Sequence, residues 1–206
     1  MPGLAAYGGV RGGSLWQRYG LWFMGATVCL VAGLIVGVVM AADMAHSNSQ
    51  LATFADGFLN ALPGLTMDST LETGAALAGN WRFFAFLWFL GLSLFGIPCI
   101  GGLLFLKGFA LGFSVSFLVG RQVSAGLLVS ILGVLPQNLL LIPAVLLGGT
   151  LAAVFSRQIW QGRVGARQVA LYSGCFALLL LVGAVAAWLQ GYVAPALLQG
   201  VLAMLS

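Results

Sequence analysis

The chain has 206 residues, of which 61% are hydrophobic and only 6% charged, with a mean hydropathy of +1.08 and a formal charge of +4. An ordinary soluble domain carries about 25% charged residues, so this chain lacks the polar material to face water and reads as an integral membrane protein. A small positive charge spread over so apolar a chain is no nucleic-acid footprint, and a single histidine cannot supply a multi-imidazole zinc site.

The first 19 residues, with Arg11 and Arg18, form a basic leader. The charge-free run from Gly20 to Ala42 exceeds the roughly 20 apolar residues that a membrane helix needs. No A-x-A site of small residues follows it, so it reads as an uncleaved anchor. Residues 43–80 hold all four acids (Asp43, Asp56, Asp68 and Glu72) and no lysine or arginine, which marks an extracytoplasmic loop. Within it Leu51, Phe54, Ala55, Phe58, Leu59 and Leu62 recur at helical spacing and predict an amphipathic helix that Pro63-Gly64 stops. Ser69 and Glu72 stand at capping-box spacing and predict a second short helix through Ala78. The first of these helices either lies on the outer leaflet or presents Leu51, Phe54, Phe58 and Leu62 to an extracytoplasmic partner.

Residues 81–120 form an apolar region of 40 residues, enough for two spans but not three, with a hairpin expected between Gly96 and Lys107. Lys107 is costly wherever it meets hydrocarbon. With the turn close by, it snorkels to the inner headgroups. With the turn at Gly96-Ile97-Pro98, it lies inside the third span and needs carbonyl, Gln137 or Asn138 partners, because no acid lies in any span. The fourth span, Leu127 to Ser156, is expected to break at Pro136 or Pro143, beside Gln137 and Asn138. Such a break either forms a small-molecule or ion site or is a kink whose amides bond a neighbouring helix. Arg157, Arg163 and Arg167 mark residues 157–168 as a cytoplasmic linker, Val169 to Leu189 is the fifth span, and Val193 to Ser206 is too short to cross.

This topology puts six of the eight basic residues on or near the inside, with Arg82 and Arg121 outside, and so predicts a cytoplasmic N-terminus. The whole chain, residues 1–206, is expected to be one all-α membrane domain with five transmembrane helices and a short helical extracytoplasmic loop. Gly33 with Gly37 and Gly108 with Gly112 are G-x-x-x-G pairs, which allow close helix contact within one chain or in a homodimer. Cys29, Cys99 and Cys175 each lie in an apolar run, where a thiol packs as a small hydrophobe. His46 stands beside Ser47 and Asn48 as a solvated loop residue. There is no phosphate-binding, zinc-protease or nucleophile-elbow motif, so no catalytic residue, cofactor or metal is expected. Lys107, Pro136, Gln137, Asn138 and Pro143 remain the intramembrane candidates, whether for structure or, in a small transporter or permease subunit, for a substrate site.

The stretch Leu90-Gly91-Leu92-Ser93-Leu94-Phe95-Gly96-Ile97-Pro98, continuing through Leu103-Leu104-Phe105-Leu106-Lys107-Gly108-Phe109 to Gly112-Phe113, resembles the stage II sporulation protein M family. Val134-Leu135-Pro136-Gln137-Asn138-Leu139-Leu140-Leu141-Ile142-Pro143-Ala144 looks like that family's proline-amide segment, followed by Gly149-Thr150 and Phe155-Ser156. The resemblance covers nearly the whole chain. It implies a multi-pass protein of endospore-forming bacteria, made in the mother cell and placed at the asymmetric septum. It further implies a scaffold rather than an enzyme, one that holds the peptidoglycan hydrolases known as stage II sporulation proteins D and P for engulfment of the forespore.

Overall fold

The computed structural model describes residues 15–47, 53, 57, 69–121, 127, 130–193 and 195–196. Among these there is no strand. Among the described residues five long helices follow one another: α1 (Leu15–Ser47), α2 (Ser69–Gly91), α3 (Gly96–Arg121), α4 (Leu135–Trp160) and α5 (Ala166–Trp188). A π-helical turn at Ser130–Val134 leads into α4, and another at Leu189–Val193 extends α5.

Four of the helices are long and apolar enough to cross a membrane, over Tyr19–Met44, Gly96–Gly120, Pro136–Trp160 and Ala166–Val193. α2 has the length, at 23 residues, but Glu72 in its first turn and Asn80 and Arg82 in its middle dilute its apolar run. It is one helix where a short helix ending at Ala78 was expected, with a span beginning only at Trp81. The polar Asn80 does not end it, because the side chain is buried and donates to the carbonyl of Gly183 in α5 at 2.9 Å. Both ends of the segment expected as an extracytoplasmic loop, residues 43–80, are helical, since α1 runs to Ser47 and α2 starts at Ser69.

The α2–α3 turn falls at residues 92–95, just before Gly96, and not between Gly96 and Lys107. It is closed by backbone bonds from Leu92 N–H to the Phe89 carbonyl (3.1 Å), Ser93 to Leu90 (3.0 Å) and Gly96 to Ser93 (3.2 Å). Pro98 is the third residue of α3, in a first turn whose N–H groups have no intrahelical acceptor, so it starts the helix rather than breaking one. The α4–α5 turn is a Schellman ending. Gly162, at φ +64°, donates to the Ile159 carbonyl at 2.9 Å, and Arg163 donates to that of Gln158 at 3.1 Å. The Gln168 amide oxygen then accepts from Gly165 N–H at 2.8 Å at the start of α5.

α4 is the central helix, with 56% of its span buried against 22% to 28% of the other three. Its Leu141, Ala144, Val145, Ala152 and Phe155 meet Phe84 and Leu87 of α2, Ile100 and Leu104 of α3, and Tyr172, Phe176 and Leu179 of α5. α1 lies against the outer flank of α3, and the two run parallel. A Cβ at Gly33 would strike the Phe105 carbonyl, one at Gly37 that of Phe109, one at Gly108 that of Leu30 and one at Gly112 that of Leu34. Both G-x-x-x-G pairs are therefore used on the two sides of one seam within the chain. Ser116 adds a hydroxyl bond across it to the Val38 carbonyl at 3.3 Å.

Candidate functional site

The intramembrane candidates are set by α3 and α4. Lys107 is the twelfth residue of α3, about 16 Å along the axis from Gly96 at 1.5 Å per residue. It is thus a mid-helix residue, half-buried, and the expectation that a nearby turn lets it snorkel to the inner headgroups does not hold. Its amine lies 5.5 Å from the centre of the Phe83 ring on α2, within the range at which a lysine head attracts an aromatic face. Leu30, Leu111, Asn138, Leu141, Ile142 and Val145 surround the remaining gap, which has no room for a water molecule.

The helix expected to be broken at Pro136 or Pro143 is not broken. α4 runs as one α-helix through Pro143, and Pro136 is its second residue. At that position the missing N–H removes no α-helical bond, and the π turn of Ser130–Val134 takes up the adjustment immediately before it. Asn138 is buried and partnered. Gln137 is half-buried and Pro143 is exposed, so of the four proline-amide residues only Asn138 lines the Lys107 gap. Lys107 of α3 and Asn138 of α4 thus border one gap between the helices that is too small for water.

Other intramembrane polar groups are likewise spent on helix–helix bonds. The Tyr172 hydroxyl donates to the Trp88 carbonyl at 2.9 Å, and Trp88 Nε1 donates to the Ser173 hydroxyl at 3.1 Å. Gly91 has no side chain where the Tyr172 hydroxyl sits. Ser156 donates to the Ser93 carbonyl at 2.8 Å and so ties α4 to the α2–α3 turn.

At that same end of the bundle lies a feature that the sequence presented only as an orientation signal. Tyr19 and Trp22 of α1, Val154, Arg157 and Gln158 of α4, Gln161 and Arg163 of the α4–α5 turn and Gln168 of α5 line a cleft of about 430 Å³. The Arg157 guanidinium lies 5.7 Å from the centre of the Trp22 ring. Trp22 also borders a second, apolar groove of about 140 Å³ between α1, α3 and α4, walled by Gly25, Ala26, Cys29, Ile100, Leu104 and Ala153 among others. The clustering of arginine and glutamine over residues 157–168 was the available signal. It needed the neighbouring end of α1, more than 130 residues away in sequence, to become a cavity.

The proposed docking residues Leu51, Phe54, Phe58 and Leu62 lie outside the described residues. In comparison with known proteins, the family model of stage II sporulation protein M matches residues 26–195. No curated protein and no solved structure matches the chain. The matched stretch begins in α1 and runs past the end of α5, taking in the α1–α3 seam, the Lys107 contact and the central helix, and the chain belongs to the stage II sporulation protein M family.

Proposed function

We propose that the chain is a non-catalytic membrane scaffold that gathers peptidoglycan hydrolases, the stage II sporulation proteins D and P, at the septum during engulfment. Family membership supports a sporulation membrane protein. The observation that carries the scaffold reading is the closed interior. Lys107 and Asn138 surround a gap too small for water, and Asn80, Ser156 and Tyr172 are engaged with carbonyls of neighbouring helices. This favours a rigid platform over a transport path through the proline-amide segment.

In this reading α2 crosses the membrane as the second of five spans. The N-terminus and the turn bearing Arg163 face the cytoplasm, following the positive-inside rule, and the acidic segment between α1 and α2 faces the hydrolases. Holding two weakly binding enzymes on one platform raises their effective concentration at one patch of wall without any new chemistry. Leu51, Phe54, Phe58 and Leu62 supply the apolar anchor. The test is co-purification from sporulating cells of the host. Wild-type protein is expected to retain both hydrolases, and Phe54→Asp with Phe58→Asp is expected to lose them while inserting normally. Full retention by that inserted variant would refute the docking assignment, and failure of the wild type to retain either enzyme would refute the scaffold.

A further inference from the structure

We propose that the cleft between α1, α4 and the α4–α5 turn binds the phosphodiester headgroup of an anionic phospholipid, with an acyl chain lying in the apolar groove beside it. The assignment does not depend on the scaffold reading.

Charge is the first reason. Arg157 and Arg163 are both exposed at the cleft, and neither forms an ion pair among the described residues. The chain cannot readily supply one, because its four acids all fall between residues 43 and 72. Asp43, the nearest of them on α1, is 21 residues beyond Trp22, about 32 Å along the helix. Two guanidiniums without a carboxylate form a fork-like donor set suited to phosphate oxygens. Basic pockets between membrane helices suit anionic headgroups for this reason. Gln158, Gln161 and Gln168 add amide groups around the same space, of which the Gln168 oxygen is already held by Gly165 N–H and the Gln161 oxygen lies 3.5 Å from Arg163 Nη1.

Shape is the second, and it separates a lipid from a free phosphate. Trp22 belongs to both cavities, and Val154 of the cleft is preceded in α4 by Ala153 of the groove. A polar chamber at the helix ends that shares a wall with an apolar channel running toward Leu104 matches an amphiphile whose charged head and hydrocarbon tail are joined. Inorganic phosphate has no use for the groove. The groove also has an unused filler position: a Cβ at Gly25 meets nothing within 4 Å, so a larger side chain there can grow into the channel without disturbing the bundle.

The experiment uses the full chain, purified in a neutral detergent and delipidated, with thermal unfolding followed on adding dioleoyl phosphatidylglycerol, dioleoyl phosphatidylcholine, glycerol 3-phosphate or inorganic phosphate. A ligand of the folded state raises the midpoint. Phosphatidylglycerol is expected to raise it by several degrees more than phosphatidylcholine. Arg157→Gln with Arg163→Gln is expected to abolish the difference, and the exposed Arg167→Gln, outside the cleft, to keep it. Gly25→Phe is expected to shrink the phosphatidylglycerol shift. An equal shift with glycerol 3-phosphate or inorganic phosphate, unaffected by Gly25→Phe, would overturn the lipid in favour of a soluble phosphate compound. Equal responses to the two lipids, or a preference that survives loss of both arginines, would overturn the site. Native mass spectrometry of the unaltered chain gives a readout independent of any variant: selective retention of phosphatidylglycerol supports the proposal, and indiscriminate retention opposes it.

Discussion

At the scale of single residues, the polar side chains within the bundle are tolerated because each has been given a local solution. Asn80 is buried but meets a carbonyl at Gly183, where a larger residue would crowd Phe84 and Asn80 itself. Tyr172 stacks on Phe155 with ring centres 4.1 Å apart and reaches its carbonyl through the space left by Gly91. Lys107 has the least complete solution, with one aromatic face, one buried amide and aliphatic walls. A lysine at the centre of a membrane helix costs about 2.5–3.5 kcal/mol on insertion scales, while one ring contact returns about 0.5–2 kcal/mol. Lys107→Met keeps the length of the stem and removes the cost. It is expected to leave the thermal midpoint of the detergent-purified protein unchanged or higher, and a fall of several degrees would show that the amine stabilises the bundle.

Among the elements, the α1–α3 pair is the most sharply specified. Four glycines, two from each helix, place backbone against backbone, so packing there depends on the absence of side chains rather than on any particular hydrophobe. The G-x-x-x-G spacing was visible in the sequence, but whether it paired two copies or two helices of one chain depended on which faces met. Gly108→Leu is expected to separate α1 from the bundle and to replace a monodisperse size-exclusion peak with aggregate. Gly102→Leu, six residues earlier on an open face of α3, is expected to leave the peak intact. Similar profiles for the two variants would sink the seam as the source of stability. The prolines make the complementary case. Pro98 and Pro136 begin helices, and Pro143 sits inside one without ending it. Proline in a sequence marks a missing donor, while the surrounding chain decides whether that donor was needed.

For the whole molecule, the decisive quantity is the separation of charge along the bundle axis. Arg157, Arg163 and Arg167 lie at or near the α4–α5 turn, at the end where α1 begins, while Asp43 and Glu72 belong to the opposite ends of α1 and α2. Reporter insertions give the orientation directly. A cytoplasmic reporter placed in the turn at residues 92–95, or beside Gly162, is expected to be active, whereas one placed after Ser47 is expected to be active only if it functions outside the membrane. An externally active reporter at residues 92–95 would mean that the bundle sits the other way round, because α1 and α3 run parallel and the α2–α3 turn lies at the same end as the α4–α5 turn. The test matters because α2 is the helix whose composition is least suited to lipid and whose burial against α4 and α5 is nonetheless extensive, with Phe84 and Leu87 almost fully enclosed.

Composition alone was sufficient for the membrane class and the helical fold, because few charges and long apolar runs leave helices as the way to satisfy the backbone in lipid. The borders of α1, α4 and α5 were also close to readable, since Ala42, Ser156 and Val169 stand where apolar runs meet polar or basic residues. Local pattern was insufficient where two distant segments had to meet. The position of the α2–α3 turn, the depth of Lys107, the partner of Asn80 and the cleft formed by Trp22 with Arg157 all depend on which helix faces which. An apolar run has the same composition whichever way it is rotated, and in this chain the rotations are set by glycine seams and carbonyl bonds between residues as much as 103 positions apart.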